Sequence, residues 1–191
     1  MTERLVLSPI DFSDEIARAI FAIQSDPATW KHLPRGVETD ISQSRSLAAD
    51  NERSWRDLGL GWWVVRLREP LAGIAPDQIV GLGGAAVRRP EVPAWNLGYR
   101  LSPAVWGHGF ATELSLAARH AAQAAQSELP VTARALSHNI ASWRTLERAG
   151  LRLVWEGDAG AAYQLTDGVR RRVYSDRELS PDLLDQLIAL G

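Results

Sequence analysis

The six residues Trp106-Gly107-His108-Gly109-Phe110-Ala111 constrain this chain more than any other stretch. They follow a strand-like run, Trp95–Leu101, that Ser102-Pro103 closes, and they precede an alanine-rich stretch that reads as a helix to about Gln126. A strand, a glycine turn and a helix start, in that order, form a holder for phosphate. Glycines let the backbone approach a ligand and take conformations that other residues resist. The free N–H groups of the first helical turn point at the anion, and the helix dipole adds to the attraction. The turn has neither the lysine and hydroxyl of a Walker A loop nor the glycine spacing of a dinucleotide fingerprint. Taken alone, it reads equally well as a tight strand-to-helix connection.

The rest of the chain reads as an α/β frame. Glu3–Ser8 is an edge strand. Ser13 or Asp14 caps a helix that runs to about Gln24 with Ile16, Ile20 and Ile23 on one face, and Asp26-Pro27 stops it. Asp40 opens a second helix that Gly59 and Gly61 end. Trp62–Leu67 and Gln78–Val87 are strands of an antiparallel hairpin with a long connection. In the long helix, Ala117, Ala118, Ala121 and Ala125 make a small-residue face suited to lying close on a sheet. Val131–Leu136 is a further strand, and Asn139 or Ser137 starts a short helix that Gly150 terminates. Leu151–Glu156 and Arg172–Glu178 are strands, and Ser180-Pro181 starts a terminal helix with Leu183, Leu184, Leu187 and Ile188. That helix packs on its own sheet or on a second copy of the chain.

Composition narrows the function. With 191 residues the chain suits one domain, 1–191. A net charge of −2 gives no basic surplus for nucleic acid. Cysteine is absent, so disulfides, thiolate catalysis and cysteine-held metal are excluded. No His/Asp/Glu set has metal-ligand spacing, so no metal is expected. The N-terminus lacks a cationic start followed by a long apolar run, and no apolar stretch is long enough to span a bilayer, so the expected location is the cytoplasm.

The region Trp95–Glu156 resembles the acyl-CoA-binding core of the GNAT acetyltransferase superfamily. That superfamily's turn reads Gln/Arg-x-x-Gly-x-Gly/Ala. Gly109 and Ala111 match its last two fixed positions, and Trp106 stands where Gln or Arg is usual. Trp106 followed by Gly107, Gly109, Phe110, Ala111, Thr112 and Glu113 is similar to the Rim-type branch, which includes ribosomal-protein N-terminal acetyltransferases. So is Asn96-Leu97-Gly98-Tyr99-Arg100-Leu101 before it. Downstream, Asn139-Ile140-Ala141-Ser142, Leu146 and Gly150-Leu151 follow the family's next helix.

The resemblance implies a single α/β domain. Its central mixed, mostly antiparallel sheet is flanked by helices, and two parallel strands splay to form an acyl-CoA cleft. Those strands are Trp95–Leu101 and Val131–Leu136. Trp106, Gly107, His108, Gly109, Phe110 and Ala111 then hold the pyrophosphate of acetyl-CoA. Backbone near Leu101 and Ser102 pairs with the pantetheine arm, and Asn139 bonds it from the other side. A neutral amine attacks the thioester directly, and a backbone N–H near Leu101 is the donor for the carbonyl oxygen. Many relatives protonate the leaving thiolate with a tyrosine seven residues after the asparagine, where this chain has Leu146. Ser142 occupies the place of the serine given that role in the Rim-type branch, with a helix-capping role as the plain alternative. Tyr99 is a weaker substitute.

No residue is assigned as the base. Relatives often have a glutamate two residues before the strand glycine, where Asn96 stands. Glu91, His32, His108, His120, His138 and Glu113 each have a plainer reading as exposed, capping or packing residues. Without a base, an α-amine of pKa about 8 is an easier acceptor than a lysine of pKa about 10.4. The expected partners are therefore acetyl-CoA and an amine, either a protein N-terminus or a small molecule. The rival reading is an acyl-CoA-binding sensor without turnover. Arg170-Arg171-Arg172 reads as a strand start with solvated alternate residues. Trp30 and Trp55 read as packing, and one of Trp62 and Trp63 as core.

Overall fold

The computed structural model describes residues 1–71, 73–158 and 169–190. One seven-stranded sheet runs through it in the order β1-β2-β3-β4-β5-β7-β6. The strands are β1 (Leu5–Pro9), β2 (Trp62–Leu67), β3 (Ile79–Ala86), β4 (Trp95–Leu101), β5 (Val131–Leu136), β6 (Arg152–Asp158) and β7 (Arg170–Ser175). Neighbours are antiparallel everywhere except β4 and β5, which are parallel. The mixed, mostly antiparallel sheet expected from the sequence is therefore present. Strand β7 begins at Arg170 rather than Arg172, because the Arg170 carbonyl already takes the Ser137 N–H at 2.8 Å.

The helices are α1 (Asp14–Gln24), α2 (Ile41–Leu58), α3 (Phe110–Ala125), α4 (Ile140–Arg148) and α5 (Pro181–Ala189). Their starts follow side-chain chemistry. Ser13, not Asp14, caps α1 by accepting the Ile16 N–H. Asp40 and Gln43 form a reciprocal capping box on α2. Asn139, not Ser137, caps α4. Two short 3-10 turns, Pro27–Trp30 and Pro34–Gly36, fill the connection between α1 and α2.

Helices α3 and α4 cover one face of the sheet, with Leu114, Ala118, Ala122 and Leu146 against Trp63, Val65, Trp95, Leu97 and Leu101. Helices α1 and α2 cover the other, with Ile16, Ile20, Ile23 and Ala48 against Val64 and Leu82. Helix α5 packs on the chain's own sheet through Leu187 and Val173. The buried stripe of α3 is Phe110, Leu114, Ser115, Ala118 and Ala122; of the alanines expected to face the sheet, Ala118 is buried and Ala121 packs at the edge of the core, while Ala125 is exposed. Alanine occurs all round this helix and marks no face; Phe110 and Leu114 set the phase. Full burial of a leucine such as Leu114 contributes about 1.5–3 kcal/mol. No described helix is long and apolar enough to cross a membrane.

Candidate active site

The site is built around the one parallel seam. Strands β4 and β5 pair at only two positions, Trp95 with Val131 and Asn96 with Thr132, and then part. The closed end is tightly made. Trp95 N–H donates to Pro130 O at 2.9 Å, and the Thr132 hydroxyl donates to Trp95 O at 2.9 Å. At the far end of β4, Ser102 N–H donates to Val80 O, on the β3 side, at 2.8 Å. Backbone groups of an antiparallel strand alternate between its two neighbours. Trp95, Leu97, Tyr99 and Leu101 therefore turn their N–H and C=O groups toward β5, and beyond Asn96 that direction is the gap. Of these groups, the Leu101 carbonyl takes the Trp106 indole N–H at 2.9 Å.

The glycine turn sits at the open end. Gly107 and Gly109 have φ of 83° and 78°, the left-handed region that glycine alone enters at little cost. Gly109 is the N-cap of α3, and its carbonyl takes the N–H groups of Thr112 and Glu113 at 3.1 Å. Among the described residues, no backbone carbonyl takes the N–H of Gly107, His108, Gly109, Phe110 or Ala111. That is the donor array an anion needs at a helix start. His108 stacks on Phe110, with ring centroids 5.8 Å apart.

Sequence reading missed the prop behind this turn. Arg4, just before β1, donates to the His108 carbonyl at 2.9 Å and to the Glu113 carboxylate at 2.7 Å. Its guanidinium lies 4.7 Å from the Phe110 ring centroid. Burial works against Glu113 ionising. The Thr2 hydroxyl, the Arg4 N–H groups and the Arg4 charge outweigh it and hold this carboxyl below its usual range. Glu113 thus anchors Arg4 and is not a spare acid.

Helix α4 brings hydroxyls to the gap. The Asn139 side-chain oxygen accepts the Ser142 backbone N–H at 3.3 Å, so the cap is made by Asn139 and not by the Ser142 hydroxyl. The Ser142 and Thr145 hydroxyls neighbour the Tyr99 hydroxyl. Burial pushes the Tyr99 hydroxyl up and these neighbours partly offset this, so the phenol holds its proton at neutral pH. Tyr99, the weaker candidate by sequence, and Ser142 therefore form one cluster. Leu146 is core, at 2% exposure.

Known proteins match this arrangement. The model of the acetyltransferase (GNAT) domain matches residues 4–152. The chain belongs to the GNAT acetyltransferase family. A GNAT-family acetyltransferase from Bacillus anthracis has the same fold, with TM-score 0.68 at 19% identity over 92% of this chain and 95% of that one. RimL, a ribosomal L7/L12 alpha-N-protein acetyltransferase solved with coenzyme A, matches with TM-score 0.66 at 15% identity over 93% and 97%. The microcin C7 self-immunity acetyltransferase MccE, solved with acetyl-CoA and AMP, matches with TM-score 0.64 at 15% identity over 91% and 92%.

The opposite face of β4 in this GNAT domain is built differently. Gly98 lies under the Trp62 ring, so close that a Cβ there would stand 2.7 Å from it. Trp63 faces the other way and is core, at 8% exposure. The Arg100 guanidinium sits 3.3 Å from the Trp30 ring centroid and donates to Thr29 O at 2.5 Å. Burial lowers its pKa to about 10 while Glu38 opposes the shift. His32 stacks on Trp30 at 6.1 Å, and its carbonyl contacts His138 Nε2 at 2.9 Å. Burial first, then the charges of Arg100 and His138, lowers the His32 pKa to about 4. Such an imidazole is a poor proton acceptor for an amine.

The remaining candidates lie apart from these clusters. Asn96 is on β4 at the closed end of the gap. Glu91 pairs with Arg89 at 3.6 Å, 65% exposed. His120 lines a surface groove of α3 with Glu113 and Trp63. Of the three arginines, Arg170 and Arg172 pair with Glu156 at 2.9 and 2.7 Å. Arg171 between them is 3% exposed, so the three arginines alternate as a strand start does.

Proposed function

We propose that this GNAT protein is an acetyl-CoA-dependent N-acetyltransferase that moves an acetyl group onto a primary amine by direct attack. The observation that carries the reading is the gap between β4 and β5, with β4 backbone groups facing it and the glycine turn at its open end. The pantetheine arm pairs along Leu101 and Ser102 as a strand would. Leu101 O has a second lone pair for this, whereas Ser102 N–H is already used, so the Leu101 N–H is the donor that counts. The pyrophosphate rests on the N–H groups of the Gly107–Ala111 turn beside Trp106, and the Asn139 amide bonds the arm from the α4 side. The complexes of RimL with coenzyme A and of MccE with acetyl-CoA support the same ligand.

The amine attacks the thioester carbon, the carbonyl oxygen gains charge, and a backbone N–H near Leu101 stabilises it. The sulfur leaves and takes a proton from the Tyr99–Ser142 hydroxyl pair. Burial of Tyr99 supports this, since a donor must still hold its proton at working pH. The acceptor is an α-amine, as at a protein N-terminus, in preference to a lysine side chain, because more of it is neutral near pH 7. A small-molecule amine is the alternative. Calorimetric titration with acetyl-CoA, with ATP as control, tests the pocket. Saturable binding of acetyl-CoA alone is expected; a folded sample that binds neither overturns the reading.

A further inference from the structure

Two reactants meet at the thioester, and α3 and α4 occupy one face of β4. The acceptor therefore approaches from the α1/α2 face, where the segment 26–38 touches both sides of the gap. It meets β4 through Arg100 and the loop after β5 through His138. A groove of about 380 Å³ along α1 leads to the same end of β4, reaching Ile23 and Ser102. Within this segment Glu38 is 9% exposed. Ser44, on α2, donates its hydroxyl to Glu38 Oε2. Glu38 N–H donates to Gln24 O at 3.1 Å, and Gln24, itself 5% exposed, has a buried side-chain oxygen without a partner. A buried amide oxygen without a donor thus lies on the residue that the Glu38 backbone holds, beside a buried carboxylate. The group that suits both is one that only donates, an ammonium.

We propose that Glu38 is the catalytic base of this enzyme: its carboxylate receives the cationic primary amine and takes its proton, while the Ser44 hydroxyl holds it in place. The proposal rests on the transferase reading above. The ammonium gives one proton to Glu38. The freed lone pair forms the C–N bond, the C–S bond breaks, and the sulfur takes a proton from the Tyr99–Ser142 pair. The second nitrogen proton replenishes that pair, and Glu38 passes its proton to water. Amide, thiol and one proton result. Burial raises the Glu38 pKa, and the Ser44 hydrogen bond and the Arg100 charge only partly offset it, which makes Glu38 a stronger base than an ordinary carboxylate. The charge that acts on it is that of Arg100 from β4; its own segment also carries Asp26, Lys31, Arg35 and, one residue past Thr39, Asp40, and His32 there stays neutral above about pH 4.

The test compares the full-length wild type with Glu38→Gln and Glu38→Asp. It uses acetyl-CoA calorimetry, thermal melting and thiol release, with short peptides bearing free α-amines and linear diamines as acceptors. Glu38→Gln is expected to keep acetyl-CoA affinity within about twofold and to lose about a hundredfold in kcat. Its rate should then rise with pH only as the amine itself deprotonates. Glu38→Asp should retain the acidic limb of the wild-type profile at reduced kcat. An unchanged kcat and pH profile in Glu38→Gln overturns Glu38 as the base and leaves the transferase reading standing. Acetyl-CoA binding without transfer to any amine of the panel overturns the amine site alone. No acetyl-CoA binding by folded wild type overturns both.

Discussion

The two faces of β4 solve different problems with the same seven residues. Toward α3 and α4, Trp95, Leu97, Tyr99 and Leu101 lie on a packed core, and the turn beyond offers backbone donors. Toward α1 and α2, Gly98 and Arg100 meet aromatic rings, and Arg100 feels the charge of the Glu38 carboxylate. The first face is suited to a ligand that is always the same, because backbone geometry changes little with side-chain substitution. The second is made of side chains, which is where specificity for one acceptor over another resides. In the proposed reading, the donor half rests on backbone and the acceptor half on the connection between α1 and α2.

Five substitutions break or sharpen that contrast. The largest effect belongs to Gly109→Val. A β-branched residue at φ of 78° forces the turn to rebuild, and acetyl-CoA affinity in calorimetry is expected to fall about a hundredfold, or about 2.7 kcal/mol. Next, Tyr99→Phe and Ser142→Ala should each lower kcat about tenfold to a hundredfold while acetyl-CoA affinity stays within about threefold. An unchanged kcat in both would remove the hydroxyl cluster from the mechanism. On the other face, Gly98→Ala pushes on the Trp62 ring. Steady-state kinetics should show the acceptor KM rising about fivefold to tenfold with acetyl-CoA affinity unchanged, a split that the two-face division requires.

The smallest effect concerns Arg4→Met, about 1 kcal/mol, since Arg4 is 47% exposed. Its sign with pH is fixed by Glu113. A carboxyl held below its usual range in the folded state adds stability above its unfolded pKa, and loses it as pH falls through the folded value. The gap in denaturation midpoint between wild type and Arg4→Met should therefore be full at pH 7 and close as the pH drops below the ordinary carboxylate range. A constant gap down to pH 2 would assign the Arg4 effect to packing on Phe110.

What the sequence made readable was local. The glycine turn, the Asn139 cap and the Asp40 start depend on residues a few positions apart, so they show in a linear reading. Arg4 props a turn whose Glu113 is 109 positions away, and no local pattern announces that. Tyr99 and Ser142 meet only because the sheet and α4 fold together. Glu38 stands between two helices in a stretch with two prolines and a glycine, where no local pattern singles it out. Its Ser44 hydrogen bond and the Arg100 charge come from α2 and β4, which only the fold brings to it. The α3 stripe was only partly legible for the opposite reason: alanine satisfied a helical period on several faces at once.

The closed end of the seam has a mechanical consequence. Asp176, whose carboxylate is 1% exposed, takes the Val131 N–H at 3.0 Å, the Gln123 amide at 3.1 Å and Arg177, which fixes the start of β5 from below. Trp95 fixes β4 from its own side through Pro130 and Gln126. The two strands are thus levers on one fulcrum. From Asn96 to Leu101 the lever is about 17 Å long at the usual strand rise, so one degree of rotation at the fulcrum moves its tip by about 0.3 Å. Reacting atoms displaced by about 1 Å can lose about a hundredfold in rate. A substitution at Asp176 or Gln123, far from any reacting atom, therefore sets the aperture, and with it the distance across which acetyl must pass.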